Sequence, residues 1–166
     1  MLIYKKKAYL QDRKYRLSFD LQLIEDKVMR TIPRHSKVSN IYRIKSLKAD
    51  AVLRCESEAE VGECIRQEFD NNTISYMTQP FTISYLFNGK KRKYTPDLLV
   101  KRVNGIWRVI EVKPFEQIEG LKEKFEVLRR VFASAGLQFV VVSDKEIYAQ
   151  GTFHSLNRAY QAKMHA

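Results

Sequence analysis

The stretch Tyr94-Thr95-Pro96-Asp97-Leu98-Leu99-Val100-Lys101-Arg102-Val103-Asn104-Gly105-Ile106-Trp107-Arg108-Val109-Ile110-Glu111-Val112-Lys113 reads as two β-type runs, 94–103 and 106–112, parted by Asn104-Gly105. Side chains alternate along a strand, so Glu111 and Lys113 share one face about 7 Å apart, together with Trp107 and Val109. Whether Asp97 joins them depends on the turn. A two-residue loop at Asn104-Gly105 sets residue 97 opposite 112 and turns Asp97 to the other face. A three-residue loop of Val103, Asn104 and Gly105, with Gly105 in the left-handed region, sets 97 opposite 111. The second arrangement is the one a shared site needs, and it is the expectation taken forward.

Two carboxylates and a lysine on adjoining strands suit phosphodiester hydrolysis. That reaction needs a hard cation to offset charge on the scissile phosphate, an activated water, and a group that neutralises the pentavalent transition state. Asp97 and Glu111 offer the oxygen donors that Mg²⁺ prefers, with Mn²⁺ able to substitute. Lys113 is then placed to orient or deprotonate the attacking water. The competing reading is a solvent-facing strand on which Glu and Lys alternate as cross-linking charges.

Working outward, residues 56–69 carry a helical stripe of Val61, Cys64, Ile65 and Phe69, with Glu56 and Glu58 in the first turn, and Asp70-Asn71-Asn72 breaks it. Glu60 stands at the edge of that stripe, from which a carboxylate can reach inward; it ranks above Glu58 and Glu63. Runs at 73–77 and 81–87 precede the quoted stretch, and the turn signals Gln79-Pro80 and Asn88-Gly89 suggest an antiparallel meander. Beyond Pro114 a stripe of Ile118, Leu121, Phe125, Leu128, Val131 and Phe132 predicts a helix ending at Gly136. The apolar run 137–142 then reads as a buried strand beside 106–112, reached through a crossover helix, with a last helix after it. The class is α/β. A helix near 18–31 and a break at 33–39 mark residues 1–50 as a basic N-terminal extension, packed on or leading into a core of 51–166.

The 166 residues hold 30 Lys and Arg against 19 Asp and Glu, a formal net charge of +11. The excess is local: residues 1–54 contain 14 basic and 5 acidic side chains, the remainder 16 and 14. Interleaved with Tyr4, Tyr9, Tyr15 and Tyr42, this block suits a polyanionic partner such as double-stranded DNA, while a solvated basic arm is the plainer alternative. Lys90, Lys91, Arg92 and Lys93 follow the Asn88-Gly89 turn and are the first candidates for phosphate contacts. Arg34, Lys37, Arg43, Lys45 and Lys48 come second. Cys55 and Cys64 lack any CxxC or His company and read as small buried residues in a reducing compartment. His35, His154 and His165 are scattered, without ligand spacing. No apolar run approaches the roughly 20 residues needed to span a bilayer, and no secretory signal is evident, so a soluble cytoplasmic protein with no membrane partner is expected.

Five separated pieces, Ser57-Glu58-Ala59-Glu60, Glu68-Phe69-Asp70, Gln79-Pro80-Phe81-Thr82-Ile83, Tyr94-Thr95-Pro96-Asp97 and Glu111-Val112-Lys113-Pro114, resemble in order and spacing the catalytic domain of TnsA, over roughly residues 35–148. TnsA is the endonuclease subunit of heteromeric bacterial transposases, within the PD-(D/E)xK superfamily. The resemblance implies a restriction-endonuclease-like core, a central mixed β-sheet flanked by helices. It implies catalytic roles for Glu60, Asp97 and Lys113. Glu111 fills the second acidic position of the broader superfamily, where TnsA itself can carry Gln. The expected metal set is Glu60, Asp97, Glu111 and Val112. The implied biology is nicking of transposon 5′ ends beside a TnsB-like transposase of the retroviral-integrase (DDE) type, with a TnsC-like AAA+ regulator as a further partner. Longer members carry a winged-helix-like C-terminal domain, whereas only a short stretch follows the last expected strand here, which leaves contact with a regulator open. Two other readings stand beside this one: a stand-alone restriction, repair or phage nuclease, and a non-catalytic DNA-binding protein that keeps a nuclease-like fold.

Overall fold

The computed structural model describes residues 41–149 and 151–165. The expected helix near 18–31, the break at 33–39, and Arg34, His35 and Lys37 lie outside them. The order is β1 (Tyr42–Ser46), β2 (Ala51–Cys55), α1 (Glu58–Phe69), β3 (Thr73–Thr78), β4 (Ile83–Phe87), β5 (Lys90–Tyr94), β6 (Leu98–Arg102), β7 (Trp107–Lys113), α2 (Phe115–Ile118), a 3-10 turn, α3 (Lys122–Ser134), β8 (Gln138–Ser143), α4 (Asp144–Ile147) and α5 (Thr152–His165). The central sheet runs β3-β6-β7-β8, antiparallel except for β7 and β8, which are parallel. This is a mixed α/β, restriction-endonuclease-like fold. None of the described helices is long and apolar enough to cross a membrane.

The middle strands are apolar on both faces because both are covered. Leu98, Val100, Ile110, Val112 and Val142 point to one side, against Cys64 and Ile65 of α1, Tyr160 of α5 and the β1–β2 hairpin. Leu99, Val109 and Phe139 point to the other, against Phe125, Leu128, Val131 and Phe132 of α3. There Phe132 and Phe139 stack with centroids 5.7 Å apart, and Tyr94 meets both edge-on at 6.0 and 6.3 Å. The crossover β7–α3–β8 follows the sequence expectation.

Three features differ from the sequence reading. The meander is interrupted: β3 pairs with β6, while β4 and β5 form their own two-stranded sheet. Asn88 and Gly89, both at positive φ, close that hairpin as a two-residue turn, and Gln79, at φ 46 before Pro80, redirects the chain out of β3. The run 94–103 is not one strand but two, because Pro96 has no N–H for a ladder and parts Tyr94 of β5 from Leu98 of β6. Residues 42–46 and 51–55 pair as a hairpin that inserts Ile44 and Leu53 into the core. The division at residue 50 therefore falls in its turn, where Asp50 has φ 50.

Candidate active site

The turn between β6 and β7 fixes the site. Leu98 pairs with Ile110, Leu99 with Val109 and Val100 with Arg108; Asp97 lies just beyond the paired residues, where the same register carried one step further sets it opposite Glu111. Arg102 donates to the Ile106 carbonyl at 2.9 Å, Gly105 donates to that of Arg102 at 2.9 Å, and Gly105 has φ 79. This is the three-residue loop with a left-handed glycine that the sequence argument required.

Asp97 sits in the break after Pro96, held from both ends. Its carbonyl accepts from the Gln79 N–H at 2.9 Å, and its Oδ2 accepts from the Val112 N–H at 2.7 Å. Glu111 is 3% exposed, with both oxygens engaged: Lys113 Nζ lies 2.9 Å from Oε1, and the Tyr94 hydroxyl donates to Oε2 at 2.5 Å. Glu60 enters from the N-terminus of α1. Ser57 caps this helix, its Oγ accepting from the Glu60 N–H at 3.2 Å and donating to Glu60 Oε1 at 3.1 Å, while Glu60 Oε2 accepts from the Glu56 N–H at 2.8 Å. The cap explains why α1 starts at Glu58 rather than Glu56, and it buries Glu60 at 7% exposure. Glu58 stays exposed, and Glu63 is committed to Arg66 and Gln67.

The charges of these groups act on one another. Burial pushes the Asp97 carboxyl well above its ordinary range; the nearby Glu111 and Glu60 carboxylates add to this, outweighing Lys113 and the Val112 N–H. Glu60 is also raised, chiefly by burial. Burial draws the Lys113 ammonium down, but Glu111, Asp97 and Glu60 together hold it above its usual value. Among the described residues, no three His, Cys, Asp or Glu side chains gather tightly enough to hold an ion as they stand. The donors nonetheless suit a hard cation: they are all oxygens, and the like-charge crowding that adds to burial in raising Asp97 is what a cation relieves.

The basic candidates among the described residues occupy different settings. Lys90, Lys91, Arg92 and Lys93 follow the Asn88-Gly89 turn as the first four residues of β5, all exposed, and the strand ends at Tyr94, which touches Glu111. Arg43 and Lys45 project outward from β1. Lys48 differs, because its ammonium donates to the carbonyls of Gln67 at 2.8 Å and Asp70 at 2.6 Å, closing the C-terminus of α1. Cys55 and Cys64 are free and buried, their sulfurs 3.7 Å apart. His154 and His165 are exposed on α5. The site residue missed as such is Tyr94, whose contact with Glu111 spans a strand break that no local periodicity reveals.

Residues 70–144 match the family model described as TnsA-like endonuclease N terminal. That segment contains Asp97, Glu111 and Lys113 and is similar to a TnsA-like nuclease domain; Glu60 precedes it. No curated protein matches the chain.

Proposed function

We propose that this chain is a metal-dependent DNA endonuclease that cleaves phosphodiester bonds at transposon 5′ ends together with a TnsB-like DDE transposase, with a TnsC-like AAA+ regulator as a further partner. The observation that carries the reading is the meeting of Asp97, Glu111 and Lys113 at a break in the central sheet, with Glu60 electrostatically coupled to them from a capped helix. The likeness of residues 70–144 to a TnsA-like endonuclease domain supports it.

Glu60, Asp97 and Glu111 would hold Mg²⁺ or Mn²⁺. Val112 would add its carbonyl, since the N–H and C=O of a strand residue point to the same side and its N–H points at Asp97. When bound, such an ion supplies Lewis-acid activation of water and of the scissile phosphate. Lys113, held as an ammonium, aligns the attacking water and offsets charge on the phosphate as it becomes pentavalent. The exposed cations of β5 track the DNA backbone leading to the site.

The test is cleavage of a duplex carrying a transposon end, with Mg²⁺ and the companion transposase, for wild type and for Asp97→Ala and Lys113→Ala. Strand-specific 5′ nicking by wild type, lost in both variants while DNA binding persists, is the expected result. Equal cleavage by Asp97→Ala would overturn the site, and efficient cutting without any partner would redirect the reading to a stand-alone nuclease.

A further inference from the structure

Tyr94 is more than a core aromatic. Its ring packs edge-on against the stacked Phe132 and Phe139, and its hydroxyl, at the end of β5, reaches 2.5 Å to Glu111 Oε2. A buried phenol in so fixed a ring position is a rigid donor, and Glu111 is almost wholly enclosed. The two oxygens of Glu111 are thus held unequally. Oε2 faces a donor locked by core packing, whereas Oε1 faces Lys113, a flexible side chain 27% exposed that can swing toward solvent or phosphate.

We propose that Tyr94 is a positioning residue that restricts Glu111 to offering a single oxygen, Oε1, to a cation, and so biases the site toward Mg²⁺ or Mn²⁺ and against Ca²⁺. The inference rests on the metal-dependent reading above. Ca²⁺ readily takes both oxygens of a carboxylate and accepts seven or eight donors, whereas Mg²⁺ favours six donors in near-octahedral array, with carboxylates bound through one oxygen. A phenol bonded to Oε2 fills one of its two lone-pair sites, draws off its charge and fixes the carboxylate's orientation, so the two-oxygen mode is disfavoured while the one-oxygen mode is left intact. The restraint is independent of Glu60 and Asp97, which are held by backbone N–H groups and Ser57 rather than by Tyr94.

The experiment is direct binding, without DNA, of Mg²⁺ and Ca²⁺ to wild type and Tyr94→Phe by calorimetry, with Mn²⁺ binding followed by electron paramagnetic resonance. Phe keeps the ring and its contacts, and thermal melting checks that both proteins are folded. The ratio of Ca²⁺ to Mg²⁺ affinity should rise about tenfold in Tyr94→Phe, from the freed oxygen. Tyr94→Leu, if folded, should shift the ratio the same way, since it too lacks the hydroxyl. A ratio unchanged in Tyr94→Phe, with wild type binding ions normally, would overturn the role of Tyr94 and leave the nuclease reading standing. Absence of any ion binding by wild type would instead sink the metal-dependent reading and this inference with it.

Discussion

Replacing Asp97 with Asn should destroy cleavage yet make the ion-free protein more stable. Residues opposite one another on paired antiparallel strands have Cβ atoms about 5 Å apart. Two like charges at that distance repel by about 3 kcal/mol at an effective dielectric of 20 and by about 1 kcal/mol in bulk water. Burial is the larger cause that raises the Asp97 carboxyl, and the charges of Glu111 and Glu60 add to it; Lys113 and the Val112 N–H return part of this, but the net effect is upward, so the ionised form is a burden on the fold. Asn can keep the bond from Val112 through its own oxygen while removing the charge. The expected gain at pH 8 without divalent ions is about 1–2 kcal/mol, or roughly 2–8 °C in Tm for a chain of this size.

The pH dependence follows from the same shift. Asp97 ionises at higher pH in the folded protein than in the unfolded chain, where its reference value is 3.8. Between the two values the folded state holds the extra proton, so wild-type stability falls as pH rises through that window. The Asp97→Asn variant has no carboxyl to titrate there and keeps its stability. The melting difference between variant and wild type should therefore be small near pH 4, grow on going to pH 8, and shrink when Mg²⁺ stabilises the wild type alone. Differential scanning fluorimetry across pH, with EDTA or Mg²⁺, reads all three. A variant that melts below wild type at pH 8 in EDTA, or an advantage equal at both pH values, would refute the account of a carboxyl raised by burial and like charge.

Lys113→Met should abolish cleavage but bind Mn²⁺ more tightly than wild type, since it removes a cation 2.9 Å from Glu111 Oε1; weaker binding measured by electron paramagnetic resonance would show that Lys113 helps build the ion site. Gly105→Ala should cost about 1 kcal/mol, because its φ of 79 is strained for a side chain although nothing lies within 4 Å of the added carbon; a chemical-denaturation loss near zero would argue against the left-handed turn that sets Asp97 opposite Glu111. Replacing Lys90, Lys91, Arg92 and Lys93 together by Ala should weaken duplex binding and lower the salt slope by up to about 4, at roughly 0.9 for each phosphate no longer neutralised; an unchanged slope between low and moderate salt would remove β5 from the DNA interface.

What the sequence revealed and what it concealed divide along the range of the contacts involved. The register of β6 on β7 could be worked out beforehand because a strand has a period of two and a short loop admits few registers; only Gly105 had to take a left-handed conformation. The stripe of α1 and the crossover to β8 were legible for the same reason, each resting on a periodicity that repeats within a single helix. The β1–β2 hairpin was obscured because its outward positions carry Arg43, Lys45 and Arg54, which made it look like part of a basic arm. The separate β4–β5 sheet depends on a positive φ at non-glycine Gln79, which composition does not signal. Tyr94 was hidden most deeply, and the same break that hid it builds the site. Had the chain continued straight through Pro96, residue 94 would lie further along β6, away from Glu111. Ending β5 at Tyr94 and restarting at Leu98 lets one short segment deliver a phenol to Glu111 from the hairpin and a carboxylate to Val112 from the sheet margin. An unpaired strand end is costly in backbone hydrogen bonds, and here those groups are met by Gln79 and by the Asp97 side chain itself. The irregularity that defeats pattern reading is therefore the feature that brings a hydroxyl, two carboxylates and an ammonium onto adjoining strands.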